Sequence, residues 1–151
     1  MDVVRVAVTG HRPDKLHAPE SDIIDRVIVA LEDLGATWMY QGMASGFDLI
    51  AARAAWIHNT PFAAVRPWMT HGPMKGWESR YEWAMEKAAQ VIETDQSTKY
   101  PGPWTYEVRN RYMVDRCEHL VAYYDGTKGG THNCIEYASR RDIPITFLKV
   151  D

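Results

Sequence analysis

The chain has 151 residues, with 17 Lys and Arg against 20 Asp and Glu, which gives a formal net charge of −3. A chain of this length forms one domain and builds a full core without disulfides or a structural metal. Ordinary shares of hydrophobic residues (46%) and charged residues (25%) exclude disordered, fibrous and membrane-spanning classes. We therefore expect one soluble domain over residues 1–151, located in the cytoplasm because no signal peptide is recognised.

The two cysteines, Cys117 and Cys134, are far apart in the sequence, and the six histidines show no metal-ligand spacing. Neither a disulfide framework nor a metal site is expected, although a nucleotide ligand could bring Mg²⁺ with it. Binding to nucleic acid is disfavoured, since it requires a clustered basic surface and this chain is mildly acidic.

Short β-rich runs alternate along the chain with longer stretches of helical spacing. The strands are predicted at 3–8, 37–41, 61–67, 90–93, 119–124 and 144–150. The first helix opens at 19–22 and ends at Gly35, and the others are predicted at 46–57, 77–89, 104–117 and 131–141. This alternation predicts an α/β fold: a doubly wound, mainly parallel sheet of about six strands with helices on both faces. The simplest strand order is 3-2-1-4-5-6, with the ligand at the switch between strands one and four.

Three loops that follow predicted strands combine glycine with small or polar side chains. They are Thr9-Gly10-His11-Arg12-Pro13, Gly42-Met43-Ala44-Ser45-Gly46-Phe47-Asp48 and Asp125-Gly126-Thr127-Lys128-Gly129-Gly130-Thr131. Such loops allow backbone N–H groups to approach an anion, and the second and third loops also open helices. Each loop alone is also compatible with a simple turn, which is the favoured interpretation for the first loop, and the third loop is the most specific of the three. Because all three follow strands, however, a parallel sheet brings them to one edge, which predicts a single phosphate- or nucleotide-binding cleft.

The helix predicted at 104–117 adds a fourth group of candidates. Arg109 and Met113 share one face at i, i+4 spacing, so Arg109 can reach the cleft while Met113 packs, with Asn110 beside them. A surface arginine is the alternative interpretation of the same pattern.

Four segments, in chain order, resemble the YpsA/YoqJ-like branch of the SLOG superfamily. They are Thr-Gly-His-Arg-Pro, Gly-Met-Ala-x-Gly-x-Asp, Arg-Asn-x-x-Met-Val-Asp and Tyr-Asp-Gly-x-x-Gly-Gly-Thr. The superfamily also contains the LOG phosphoribohydrolases and the DNA-processing protein DprA. The resemblance runs from Thr9 to about Pro144 and implies a Rossmann-like fold with a site for nucleotides or nucleotide-derived ligands. It does not imply a defined reaction.

Some residues carry over by this resemblance. Gly42, Gly46 and Asp48 match a loop that DprA-like members also have, and Arg109 matches a functional arginine of LOG enzymes. Gly130 and Thr131 match the end of the LOG glycine-rich loop, and nucleoside deoxyribosyltransferases share a similar pattern.

The chain departs from these enzymes at one acidic position. Cys134 stands where they use a glutamate to cleave the N-glycosidic bond. Glu136 cannot replace that glutamate, because two residues along a helix correspond to a rotation of about 200°. Three carboxylates from other loops are the remaining catalytic candidates: Asp48, Glu93 and Asp125.

These observations rank ligand binding above catalysis. We expect a sensor or sequestering module for a nucleotide or an ADP-ribose-like ligand, with a homodimer as the assembly. The alternatives are an N-glycosidic hydrolase or deoxyribosyltransferase acting on nucleoside monophosphates, and DprA-like binding of single-stranded DNA. The residues expected to bind the ligand are Thr9, Gly10, His11, Arg12, Gly42, Ala44, Ser45, Gly46, Asp48, Arg109, Asn110, Gly129, Gly130, Thr131 and Cys134.

The aromatic content is high, with six tryptophans, and aromatic residues crowd the middle third of the chain. The residues concerned are Trp68, Trp77, Tyr81, Trp83, Tyr100, Trp104 and Tyr106. We expect them to form a wall or lid of the cleft where they can stack on a base or ribose, with core packing or a dimer interface as the alternative roles.

Overall fold

The structure, a computed structural model, describes residues 2–151 and alternates strands with helices along the chain. The strands are β1 (Arg5–Gly10), β2 (Trp38–Gln41), β3 (Phe62–Arg66), β4 (Gln90–Glu93), β5 (His119–Tyr123) and β6 (Ile145–Phe147). The helices are α1 (Glu20–Leu34), α2 (Phe47–Ile57), α3 (Glu78–Lys87), α4 (Trp104–Arg116) and α5 (Gly130–Arg140). Every predicted helix and strand is present, and a 3₁₀ turn at Pro13–Lys15 was not predicted.

All strand pairs are parallel, which confirms the predicted α/β fold class. The predicted strand order is wrong, because the six strands run β4-β3-β2-β1-β5-β6. After α3 the chain returns beside β3 and adds β4 to the outer edge. The reversal then occurs in the next connection, so the switch point lies between β1 and β5.

The helices divide between the two faces of the sheet. One core contains apolar residues of α1, α2 and α3 with Val6 and Val8 of β1, and the other contains residues of α4 and α5 with Ala7. This alternation along β1 follows from the period of two in a strand whose faces are both covered. The helix α2 packs between α1 and α3 and is buried along most of its length.

The boundaries of β1 differ from the prediction in a way that affects the site. Pairing with β5 continues through Thr9↔Ala122 and Gly10↔Tyr123, so these two residues belong to the strand. The loop predicted to begin at Thr9 therefore begins only after Gly10. Gly10 is needed for packing instead, because a Cβ atom there would lie 2.4 Å from the ring of Phe47. The glycine therefore lets the first turn of α2 lie against the end of β1.

The helix α1 illustrates how the sequence sets the boundaries of an element. Glu20 and Asp22 occupy the first turn, where acidic side chains favour the positive end of the helix dipole. Gly35 ends the helix in the left-handed conformation, with φ of 63°. None of the helices within residues 2–151 has the length and apolar character needed to cross a bilayer.

Candidate functional site

A cleft of about 490 Å³ opens beyond the carboxyl ends of β1 and β5, at the switch point of the sheet. Its walls come from the end of β1 and the loop after it, the first turns of α2 and α5, and the middle of α4. All four predicted groups of residues, the three loops and the segment of α4, therefore contribute to one site. The sequence-predicted residues that line it are Thr9, Gly10, His11, Arg12, Ala44, Asp48, Arg109, Asn110, Gly129, Gly130, Thr131 and Cys134.

Three candidate residues of the loop after β2 do not line the cleft but support the residues that do. A Cβ atom on Gly42 would lie 2.8 Å from the guanidinium of Arg109, so glycine is required there for Arg109 to lie against the backbone. Gly46 has φ of 101° and packs against the backbone of His11. The hydroxyl of Ser45 accepts a hydrogen bond of 2.9 Å from the Met74 N–H and so anchors the loop after β3.

Two of the three catalytic candidates lie outside the cleft. Glu93 ends β4 at the edge of the sheet and pairs with Arg66 at 3.2 Å. Its distance from the switch point follows from the outer position of β4, which the predicted strand order did not anticipate. Asp125 is engaged by its own loop, since its Oδ1 accepts hydrogen bonds from the N–H and hydroxyl of Thr127. Asp48 is the candidate that lines the cleft.

Sequence reasoning missed several cleft residues. Lys15 lies in the unpredicted 3₁₀ turn, and Lys128 lies in a loop that was recognised only for its glycines. Asn133 of α5 also lines the cleft. A usable signal existed for Asn133, because it lies within one turn of Gly130 at the helix start. No sequence pattern marked Lys15.

The most unusual charge in the site is that of Arg109, whose side chain is 6% exposed. Its Nη1 donates a hydrogen bond to the Gly42 carbonyl at 2.5 Å, and its Nε donates to Asn110 Oδ1 at 2.9 Å. Within residues 2–151 it forms no ion pair, although six other arginines do. Burial lowers the pKa of Arg109, and the negative charge of Asp48 opposes this shift only in part.

Arg12 also forms no ion pair within the described residues, and its charge further lowers the pKa of Arg109. Two guanidinium groups without paired carboxylates therefore line the same cleft. An anion that enters between them would compensate both charges.

Asp48 lies in the first turn of α2 and is 5% exposed. Its Oδ2 accepts a hydrogen bond of 3.3 Å from the Ala44 N–H. Burial raises the pKa of Asp48, while the charge of Arg109 and the N–H groups of Ala44 and Gly42 act in the opposite direction. The carboxyl group is thus held at the floor of the cleft, and within residues 2–151 it is not paired with a cation at ion-pair distance.

The N-termini of α2 and α5 differ in whether they can accept an external anion. At α2 the Phe47 N–H donates to the His11 carbonyl at 3.0 Å, and Asp48 supplies a negative charge. At α5 no side chain caps the helix, no acidic residue occupies the first turn, and Gly129 has φ of 148°. Because the first N–H groups of a helix lack intrahelical partners, the α5 terminus is the better suited of the two to accept an anion.

Hydrogen bonds hold the loop after β5 against the loop after β1. His11 Nε2 lies 2.9 Å from Asp125 Oδ1 and from the Asp125 backbone nitrogen, and Lys15 Nζ donates to the Thr127 hydroxyl at 2.9 Å. A proton on Nε2 would be donated to the carboxylate, while the other neutral tautomer would accept from the backbone N–H. Burial lowers the pKa of His11, so the ring is uncharged near neutral pH in either tautomer.

Cys134 lies at the floor of the cleft with 2% of its surface exposed. Burial raises its pKa to about 12, so the thiol is protonated and is a poor nucleophile. Residues 2–151 also contain no group of three or more His, Cys, Asp or Glu side chains that could hold a metal ion.

The aromatic residues of the middle third divide between several locations and do not form one wall. Tyr106 lines the cleft, and Trp68 and Tyr100 pack behind it. Trp77 and Trp83 instead pack against the core between the sheet and its α1–α3 face. Trp104 is largely exposed. The divergence arises because α3 and α4 lie on opposite faces of the sheet.

No family model matches the chain. A segment of 69 residues, 40% of the chain, is 38% identical to the uncharacterized SPbeta prophage-derived protein YoqJ of Bacillus subtilis, and it covers 40% of that protein. A UPF0398 protein of Bacillus thuringiensis is 23% identical over 90% of the chain and 82% of its own length. The homologues of this chain are YoqJ- and UPF0398-type proteins. The resemblance to YoqJ-like proteins that the four sequence segments indicated is thereby confirmed.

Solved structures share the fold at low sequence identity. DprA from Streptococcus pneumoniae has a TM-score of 0.76 and 19% identity over 96% of this chain, which corresponds to half of the DprA chain. The molybdenum cofactor carrier protein of Chlamydomonas reinhardtii has a TM-score of 0.64 and 14% identity over 97% of this chain and 76% of its own. These neighbours show that the chain shares their fold.

Proposed function

We propose that the protein binds a nucleotide or a nucleotide-derived phosphate ester in the cleft between β1 and β5, as a sensor or sequestering module. The observation that carries this proposal is that Arg109 is buried and forms no ion pair in the described part of the chain, residues 2–151. A buried unpaired charge destabilises a protein, so its presence in an open cleft favours a role in anion binding.

The uncapped N-terminus of α5 supports the same ligand class. Gly129, Gly130 and Thr131 line the cleft at a helix end without acidic side chains. An anion at such an end gains about 0.3–2 kcal/mol from the helix dipole. Of the two glycine-rich loops that open helices, the loop after β5 is therefore the proposed phosphate site, while the loop after β2 positions Asp48 and Arg109.

The proposal can be tested by calorimetry and thermal shift with phosphate, ribose 5-phosphate, nucleosides, nucleoside 5′-monophosphates and ADP-ribose. We expect a phosphate ester to bind at least tenfold more tightly than the corresponding nucleoside, and Arg109→Met to weaken this binding. Arg116→Met is the matched control, because Arg116 lies on the same helix, is exposed and does not line the cleft. The proposal fails if no phosphate ester binds, or if single-stranded oligonucleotides bind while mononucleotides do not.

Asp48 favours a second candidate function, the hydrolysis of an N-glycosidic bond. A buried carboxyl group with a raised pKa can protonate the leaving base as the C1′–N bond breaks. Water then adds to C1′ and returns a proton to the carboxylate, which gives ribose 5-phosphate and the free base. Chromatography should detect base released from nucleoside monophosphates, and Asp48→Asn should reduce the rate at least 100-fold. Absence of release, or full activity in Asp48→Asn, would exclude this reaction.

A further inference from the structure

The cleft contains an aromatic surface that the proposed phosphate site does not use. Tyr106 of α4 lines the cleft between Arg12 and Arg109, whose guanidinium carbons lie 5.5 and 5.8 Å from the ring centroid. Both arginines therefore border the same ring. Because each guanidinium carries several N–H donors and no acceptor, the two arginines can donate to a phosphate and also to acceptor atoms at the edge of a group on this ring.

The ring of Tyr106 is supported from behind by a packed aromatic cluster. Trp68 meets it edge-on at 5.7 Å between ring centroids. Trp68 is in turn held between Tyr100 and His71, each at 5.0 Å. Since Trp68 is 9% exposed and these rings pack at steep angles, the orientation of Tyr106 is fixed before a ligand arrives.

Comparison with other tyrosines shows that Tyr106 remains available for stacking. On the same helix, Tyr112 is covered by Arg116, whose guanidinium carbon lies 3.6 Å from the ring centroid. Tyr137 also lines the cleft, and its hydroxyl donates a hydrogen bond of 2.6 Å to Asp115 Oδ1. The guanidinium carbon of Arg111 lies 4.8 Å from the centroid of the Tyr137 ring. The two arginines near Tyr106 lie farther from its ring centroid, at 5.5 and 5.8 Å, and Tyr106 itself is partly exposed.

We propose that Tyr106 is the stacking surface for a flat heteroaromatic group of the ligand, whose phosphate lies at the N-terminus of α5. The ligand class is then a heteroaromatic phosphate ester with acceptor atoms on its ring, and a sugar phosphate alone is excluded as the preferred ligand. This inference rests on the proposed function and adds the part of the ligand that sets specificity. Stacking of a base on an aromatic side chain changes affinity by about 5- to 150-fold.

The test compares the affinity of ribose 5-phosphate with that of the four ribonucleoside 5′-monophosphates by calorimetry on the full chain. In the unmodified protein, at least one monophosphate should bind more than fivefold more tightly than ribose 5-phosphate. Tyr106→Phe should preserve this ratio and Tyr106→Leu should abolish it, while ribose 5-phosphate itself binds equally to both variants. Tyr112→Leu is the matched control, because it removes a covered tyrosine outside the cleft and should leave the ratio unchanged.

The possible failures are distinguishable. If ribose 5-phosphate binds as tightly as every monophosphate, the stacking role is wrong while the proposed phosphate site stands. A ratio that persists in Tyr106→Leu also overturns the stacking role. If neither ribose 5-phosphate nor any monophosphate binds, the proposed function fails and this inference fails with it. Circular dichroism of each variant separates loss of binding from loss of folding.

Discussion

Replacing Arg109 with methionine should stabilise the protein without ligand and weaken phosphate binding at the same time. The guanidinium is buried and, among residues 2–151, has no carboxylate partner at ion-pair distance. Removing it eliminates a desolvation penalty of several kcal/mol. It also leaves the Gly42 carbonyl without its donor, which costs about 1–3 kcal/mol. We expect a net gain of about 1–3 kcal/mol in the free energy of unfolding, or a rise in Tm of about 2–12 °C.

The expected loss of binding follows from the hydrogen bonds that a guanidinium makes to phosphate. A charge-assisted hydrogen bond contributes about 1.5–3 kcal/mol, so the dissociation constant should rise about 10- to 150-fold. A ligand present at about 100 times its dissociation constant stabilises the unmodified protein by about 2.7 kcal/mol. In Arg109→Met the same concentration should contribute only about 0.3–1.4 kcal/mol.

Urea unfolding and thermal shift, each with and without ligand, measure both effects. Arg116→Met removes a cation–π contact with Tyr112, so it should lower the free energy of unfolding by no more than about 1 kcal/mol and leave the ligand response intact. A fall in stability of Arg109→Met by more than about 2 kcal/mol would show that the guanidinium is a structural element. An unchanged ligand response would show that Arg109 does not contact the anion.

Three further predictions concern the framework of the site. Gly46→Ala should destabilise the fold by about 1–3 kcal/mol in urea unfolding because φ is 101°, whereas Gly72→Ala, at a position with open space, should have little effect. Burial lowers the pKa of His71 to about 3, below its unfolded value of about 6.5, so the unfolded state binds the additional proton between these values. Stability should therefore decline as pH falls from about 6.5 to 3, with His71 contributing up to about 1.4 kcal/mol per pH unit, and His71→Gln should flatten this dependence. Burial raises the pKa values of Cys117 and Cys134 to about 11 and about 12. Iodoacetamide at pH 8 should therefore label both thiols only after unfolding, and rapid labelling of the native protein would contradict their burial.

The sequence by itself determined the number, type and approximate bounds of the helices and strands. Local signals were sufficient for this, such as the acidic first turn of α1 and the glycine at its end. The sequence also placed the three loops that follow strands at one edge of the sheet, because the carboxyl ends of parallel strands all lie at the same edge. Neither step needed knowledge of which strands are neighbours.

Strand order was decided only by the tertiary structure. The segment 90–93 forms a strand in either arrangement, and its residues do not encode whether it joins β3 or β1. Its position at the edge beside β3 moves Glu93 away from the switch point and leaves Asp48 as the cleft carboxylate among the candidates.

Tertiary structure also decided which of the similar motifs face the cleft. The loops before α2 and α5 have comparable glycine content, but Asp48 and the His11 carbonyl occupy one helix end and leave the other uncapped. Tyr106 and Trp77 are both aromatic residues near the start of a predicted helix, and no local pattern separates them. Their helices nevertheless lie on opposite faces of the sheet. These outcomes depend on contacts between residues distant in the chain, which a local pattern does not contain.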